Sequence, residues 1–445
     1  MRRDQPLRPD YATSFRCIGG ACEDSCCEDW TVGVDGAAYA RYEALPAGPL
    51  RSTIVESILP AVANPAGVAG SVNPPPFAIQ MVRRGGVRVC PLLASDGLCR
   101  IHAELGASYL SHTCATYPRI RYSIAGNEEC ALSLSCPEAA RLVLLSPALA
   151  QAAGPGAEAK PESTLSGDGG LTPFFHSIRN FALELIRNRS YPLWQRMFLL
   201  GLFAVRFDAL GKDRLEETVP ELLALFEGAI GSGSVRVSLE TLKPDGERQL
   251  DLVLRLAGVL LHRSHVRPRF VECVEAFGRG IGNGPGATLH SLAGRYAEAH
   301  RYAFAPFFER HPHMLENYLS NTIFRSRFPF GRDWARDGAA ASMTREFELL
   351  TTQFALVKGL LIGVAGGHGE AFCEAHVVQT VQAVSKHFDH HADFLKDAYA
   401  LLVESGMAGP MGMAILLQDA NPAGIRAGLA PFLEQNAPDV VHEKR

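Results

Sequence analysis

Eleven cysteines are spread unevenly along this 445-residue chain. Nine stand within the first 136 residues: Cys17, Cys22, Cys26, Cys27, Cys90, Cys99, Cys114, Cys130 and Cys136. The remainder holds Cys273 and Cys373, which fall in helical patterns and read as buried small hydrophobes. The densest run, Phe15 to Trp30, spaces its thiols as C-x4-C-x3-C-C. A loop carrying three or four thiolates wraps one metal centre. Gly19 and Gly20 give that loop the freedom to turn its ligands inward. The spacing matches neither the paired C-x2-C units of zinc ribbons nor the two-cluster ferredoxin run. It therefore signals a metal centre more firmly than the identity of the metal. A disulfide framework is the competing reading, but that suits small secreted domains. The N-terminus, MRRDQPLRPDYATSF, has two arginines and no apolar stretch after them, so a secretory signal is not expected and the cytoplasm is. In that compartment, cysteine density points to metal or iron–sulfur ligation.

The later thiols, Cys90, Cys99, Cys114 and Cys136, are scattered, so a shared site requires the fold to gather them. His102 and His112 are further candidate ligands, though a lone histidine on a helix is more often simply exposed.

The elements that must position these residues divide near 149–172, a stretch rich in Gly, Ala, Pro and Ser without apolar periodicity. Residues 1–148 read as a cysteine-rich metal-binding domain, 149–172 as a flexible linker, and 173–435 as a helical domain. The fold class is mainly α. Short β-hairpins are expected in the first part, around Arg84-Gly85-Gly86 and around Gly126-Asn127, with a helix from Cys99 to Cys114 between them. Helical spacing then recurs over Leu193–Leu210, Pro220–Ile230, Leu250–His262, Pro268–Phe277, Leu289–Phe304, Met314–Phe324, Met343–Ala365, Glu370–Phe388 and Ala392–Leu402. Ser232–Leu242 alternates like a short strand. Two Gly-rich stretches, 278–284 and 363–369, read as helix ends or loops. They sit in no strand–helix alternation, so a Rossmann-type site is not expected. Net charge is −4, which excludes a strongly basic nucleic-acid binder. The longest apolar run, Met197 to Val205, is nine residues, against about 20 needed to span a bilayer, so no membrane insertion is expected.

The string from Phe15 to Trp30, followed by C-P-L-L, D-G-L-C, T-C-A-T-Y-P-R and L-S-C-P-E-A-A-R-L, resembles the flagellin lysine-N-methylases. These belong to a wider group named for a CxxCxxCC cluster. The resemblance continues in N-Y-L-S-N-T-I-F-R-S-R-F-P-F, from Asn317 to Phe330. It implies a cytoplasmic enzyme that methylates lysines of flagellin with S-adenosylmethionine and carries an N-terminal iron–sulfur cluster, [4Fe–4S] or, alternatively, zinc. The ligand candidates it implies are Cys17, Cys22, Cys26, Cys27, Cys90, Cys99, Cys114 and Cys136; Cys130 falls outside the pattern. Eight candidates exceed the four thiolates of one cluster, so either four bind and the rest line the site, or two metals bind.

Methyl transfer from a sulfonium to an amine is an in-line displacement that needs a neutral, aligned lysine and no iron. A cluster would then be structural or redox-sensing. A radical reading fits poorly, because Asp29 stands where the third cysteine of C-x3-C-x2-C would be. In the Asn317–Phe330 segment, Leu319 and Phe324 read as core, and Asn317, Asn321 and Arg325 recur on one helical face. Asn317, Tyr318, Asn321 and Arg325 are the candidate catalytic residues, with Tyr117 and Glu316 as weaker ones for orienting or deprotonating the amine. Trp30 reads equally as packing beside the metal loop or as a recognition residue. The rival function is a metal-binding redox-sensing or protein-interaction protein without methyltransferase activity.

Overall fold

The computed structural model describes residues 7–419, apart from Asp29, Thr31, 62–74, 125–126, 148, 150, 154–163, 166–170, 211–213, 243, 262–266, 332–341 and 390–391. Asp29, most of the stretch 149–172 and residues 420–435 of the expected helical domain thus lie outside the described residues.

Both expected hairpins form. Val82–Arg84 pairs antiparallel with Val87–Val89. Gly85 and Gly86 between them both have positive φ, 58° and 86°, as the tight turn matched to strand twist requires. Arg119–Ile124 pairs with Asn127–Leu132. Gln151–Ala153, within the stretch read as a linker, pairs with Leu7–Pro9, and Thr164–Leu165 lies parallel to Ser123–Ile124. The helix expected from Cys99 to Cys114 is instead broken in three: Arg100–Leu105, a 3-10 turn at Ala107–Tyr109, and His112–Thr116. Gly106, at φ 88°, supplies the break. A small core of Val34, Ala38, Tyr42, Ile54, Ile79, Leu92 and Ile101 fills this region, and Cys27, Cys99 and Cys114 pack on it.

The second core is continuous from Tyr11 and Phe15, through the Arg119–Leu132 hairpin, to Leu417. Its centre is the helix Met343–His368, buried from Leu350 to Ala365. This helix is apolar and long enough to cross a bilayer, yet 89% of its most apolar window is covered by protein. A helix hydrophobic all round is what a core of this size calls for. The Gly-rich stretch 363–369 ends this helix, as read from the sequence: Gly363, Gly366 and Gly367 lie in its last turns and Gly369 caps it, while Gly280 closes the helix Pro268–Gly280. A Cβ on Gly280 would fall 1.8 Å from the Gly363 carbonyl oxygen, and one on Gly363 2.2 Å from the Phe277 ring. These glycines exist for the close crossing of two helices.

Ser232–Leu242 is not a strand. Arg236–Glu240 is helical, with Val235 and Leu239 buried and Val237 73% exposed. The alternation concealed an i,i+4 pair. The helix Leu289–Ala299 passes into a π-helical stretch, His300–Phe304, and continues as Ala305–Arg310. Pro306 explains the irregularity: its ring removes one ladder donor and crowds the preceding turn.

Candidate functional site

The fold gathers the thiols that the sequence scatters. Cys90 donates its backbone N–H to Cys27 O at 2.8 Å, which places the 22–28 loop against the second hairpin strand. The Cys26 and Cys27 side chains hydrogen-bond each other, and Cys27 reaches Cys90. The Cys99 and Cys26 thiols lie within electrostatic range of Cys114, and the Cys22 and Cys26 thiols of Cys136. Cys17 is exposed on the preceding turn, its sulfur accepting from Gly19 N–H at 3.4 Å. The hydrogen bond to Cys27 and then burial push the Cys26 thiol well up, and burial pushes Cys114 and Cys136 each to about 12. None of the eleven cysteines is in a disulfide. Crowded, protonated sulfurs of this kind lose their protons when a thiophilic cation enters, so the donor set fits an iron–sulfur or zinc centre in kind. Among the described residues, no three His, Cys, Asp or Glu side chains stand close enough together to hold a metal ion. His102 and His112 are exposed. Cys273 is buried as expected; Cys373 is not, lying exposed with its Sγ 3.4 Å from His376 Nδ1. It precedes the helix Glu374–Asp389 instead of packing within it.

What holds the cysteine loop down is Asp24. Its carboxylate accepts from Lys386 Nζ at 2.8 Å, from Gln382 Nε2 at 2.6 Å and from Arg267. Burial alone would raise the Asp24 carboxyl, but the Lys386 ammonium and Arg267 guanidinium hold it below the usual range. Burial lowers Lys386. Sequence reasoning passed over Lys386, because the group that explains its burial, Asp24, is far away in sequence and its own helix face carries the polar Gln382 one turn before it. Trp30 packs beside the loop, its indole N–H donating to Cys26 O and its ring 5.5 Å from that of Tyr117. From Tyr117 a buried polar seam runs through Ser135 (3.0 Å) and Ser133 (2.5 Å) to Asp389, which also accepts from Arg325.

The four candidate catalytic residues are all engaged within the protein. They lie on the helix His313–Ser326. Asn317 Nδ2 donates to Val143 O (2.9 Å) and Ser146 O (2.7 Å). Asn321 donates to Leu132 O (2.9 Å) and accepts from Leu132 N–H (3.3 Å) and Tyr11 OH (2.5 Å). Tyr318 is buried with its ring near Phe354. Arg325 holds Asp389 and Gln353. This face fastens the helix to the N-terminal region. A second buried pair stands beyond it, with Arg179 Nη1 donating to Glu129 at 2.6 Å and Nη2 3.3 Å from His176 Nδ1. Burial pushes His176 down to about 4.

The same helix reaches a cavity by its first turn. Leu315 and Glu316, with Trp194, Phe304, Phe308 and Phe354, line a space of about 230 Å³ that also touches Arg196, His300, Glu309, Lys358 and Asp419. Glu316 accepts from Arg196 (2.8 Å) and Arg189 (2.7 Å). A larger, more open cleft of about 600 Å³ lies on the other side of the π-helical stretch, between Arg295, Tyr302, Arg310 and Glu370.

Comparison with known proteins bears on the helical part of the chain. Residues 179–416 match the family model described as FliB lysine N-methylase C-terminal domain. The lysine-N-methylases of Salmonella typhimurium and Salmonella choleraesuis are each 27% identical over 264 residues, 58% of this chain and 61% of theirs. The chain thus spans about three-fifths of the length of these curated relatives. The flagellar biosynthetic protein FliU of Salmonella muenchen is 32% identical over 147 residues, 33% of this chain and 81% of that protein. No solved structure matches. With more than half its length matched by the family model, the chain belongs to the FliB lysine N-methylase family.

Proposed function

We propose that the protein is a protein-lysine N-methyltransferase, that its methyl donor is S-adenosylmethionine and that its substrate is flagellin. The observation that carries this reading is the family match over 179–416, which covers the helices walling the Glu316 cavity. The relatives' names, lysine-N-methylase and flagellar biosynthetic protein, support the substrate class. The reaction asks little of the protein chemically. A lysine ammonium gives up a proton, its nitrogen bonds to the methyl carbon as the carbon–sulfur bond breaks, and the electron pair stays on sulfur. A free lysine has a pKa of about 10.4, so near pH 7 fewer than one in a thousand is neutral. A partly dry site supplies the shift required.

The cysteine neighbourhood offers the donor type an iron–sulfur cluster takes, and binding one would require its thiols to draw closer together than they stand. Cys26, Cys27, Cys90, Cys99 and Cys114 would supply the thiolates, with Cys22 and Cys136 beside them. Such a group would cross-link the loop and make its stability sensitive to redox state.

The test is transfer of labelled methyl groups to flagellin by protein purified without oxygen, with iron and sulfide measured alongside. Labelled lysines are expected. Failure to bind the donor at intact metal content would leave a metal-binding interaction protein instead.

A further inference from the structure

We propose that the cavity walled by Trp194, Phe304, Phe308 and Phe354 receives the side chain of the target lysine. The proposal rests on the lysine-methylation reading above and assigns that substrate a place.

Size comes first. At about 230 Å³, the cavity falls below the roughly 300–1,000 Å³ of sites that enclose whole small molecules. An extended aliphatic side chain suits it better than a nucleoside-bearing donor.

Charge comes second. A donor carrying an amino-acid carboxylate needs a cation with donors to spare. Lys358 has none: its Nζ gives one bond each to Leu417 O, Gln418 O and Asp419, three donors in all. Arg196 gives Nε to Tyr191 O and Nη1 to Ile186 O and Glu316, so its charge is matched by that carboxylate even though Nη2 keeps further N–H donors. Glu309 is different. It lines the cavity, is exposed, and forms no ion pair among the described residues. The uncommitted charge is therefore negative, and it favours a cationic guest. Aromatic faces favour an alkylammonium in the same sense.

Backbone comes third. His300 and Phe304, the two ends of the π-helical stretch, both face this space. The irregular turn that Pro306 imposes on this helix thus forms part of the cavity wall. Glu316 then gives the Asn317–Phe330 motif its connection to the site. The helix is anchored by Asn317 and Asn321, and the cavity lies at its first turn.

The experiment uses the full-length protein and two probes, Nα-acetyl-lysine methylamide and its Nε-trimethyl analogue, titrated by calorimetry. Saturable binding is expected. Trp194→Ala should weaken the trimethyl probe about tenfold, and Glu309→Gln should weaken both probes about threefold. Both residues are partly or fully exposed, so folding should survive. S-adenosylmethionine affinity should be unchanged in both variants, and the KM for flagellin should rise without a matching fall in kcat. Absence of saturable probe binding, equal probe affinity in all three proteins, or a loss of donor affinity instead would overturn the assignment. If wild-type protein labels flagellin while probe affinity ignores both substitutions, only the pocket assignment fails. If wild-type protein labels no lysine at all, the methylation reading fails and takes the assignment with it.

Discussion

Asp24 Oδ1 and Lys386 Nζ, 362 residues apart in sequence, meet at 2.8 Å with both side chains at most 5% exposed. The pair ties the cysteine loop to a helix near the far end of the chain. Arg267 and Gln382 converge on the same carboxylate.

Removing the anion should cost more than removing either cation. Asp24→Asn leaves Lys386 without an opposite charge, and about 3–5 kcal/mol of stability is expected to go. Lys386→Met leaves Asp24 with Arg267 and should cost less, about 2 kcal/mol. The double variant should lose less than the sum of the two, because the charges are coupled. Urea titration of the four proteins reads this directly. Additive losses would show that the two groups are independent.

Asn321 is predicted to act on stability before it acts on turnover. Its carboxamide serves Leu132 N–H, Leu132 O and Tyr11 OH at once. Asn321→Ala should therefore destabilise by about 3 kcal/mol, the loss of several buried hydrogen bonds. A variant with wild-type unfolding behaviour but no methyl transfer would return Asn321 to the reacting groups.

The helix crossing makes a sharper demand. Gly280→Ala and Gly363→Ala should each cost at least about 2 kcal/mol by overpacking, since the added carbon meets backbone at Gly280 and the Phe277 ring at Gly363. Gly228→Ala is the control. It lies within the helix Leu215–Ser232 with nothing within 4 Å of the added carbon, and it should gain about 0.5–1 kcal/mol. Thermal melts in the same buffer compare the three.

His176 gives a pH dependence. Burial holds its folded pKa at about 4, below the ordinary value near 6.5. The unfolded chain therefore binds the proton more readily. The stability that neutral His176 contributes is fully present above about 6.5 and is lost as pH falls towards 4, by about 3 kcal/mol in all. His176→Gln should flatten that part of the stability–pH curve. A curve of unchanged slope would mean that His176 does not titrate with unfolding.

Local chemistry was legible from the chain. The Gly85-Gly86 turn follows from two residues that tolerate positive φ, and the amphipathic spacing located most helices. The sequence misled where two periods coincide. Val235, Val237 and Leu239 alternate like a strand, yet only the outer two are buried, at helical spacing. The polar face of Asn317, Asn321 and Arg325 was found, but its partners could not be, because Leu132, Val143 and Asp389 are distant in sequence. A buried lysine such as Lys386 leaves no local trace, since its reason for being there is an aspartate hundreds of residues away. The Glu316 cavity is assembled from several helices and has no linear signature.

The carboxamide of Asn321 presents to Leu132 the same donor and acceptor that a neighbouring peptide unit would. Asn127–Leu132 is the outer member of its three-stranded sheet. Outer strands recruit other chains through their unpaired backbone groups. By occupying those groups at Leu132, a helix side chain takes the seat that a stray strand would fill. Loss of Asn321 should therefore favour self-association through this edge, a liability distinct from unfolding and visible as concentration-dependent oligomers by light scattering.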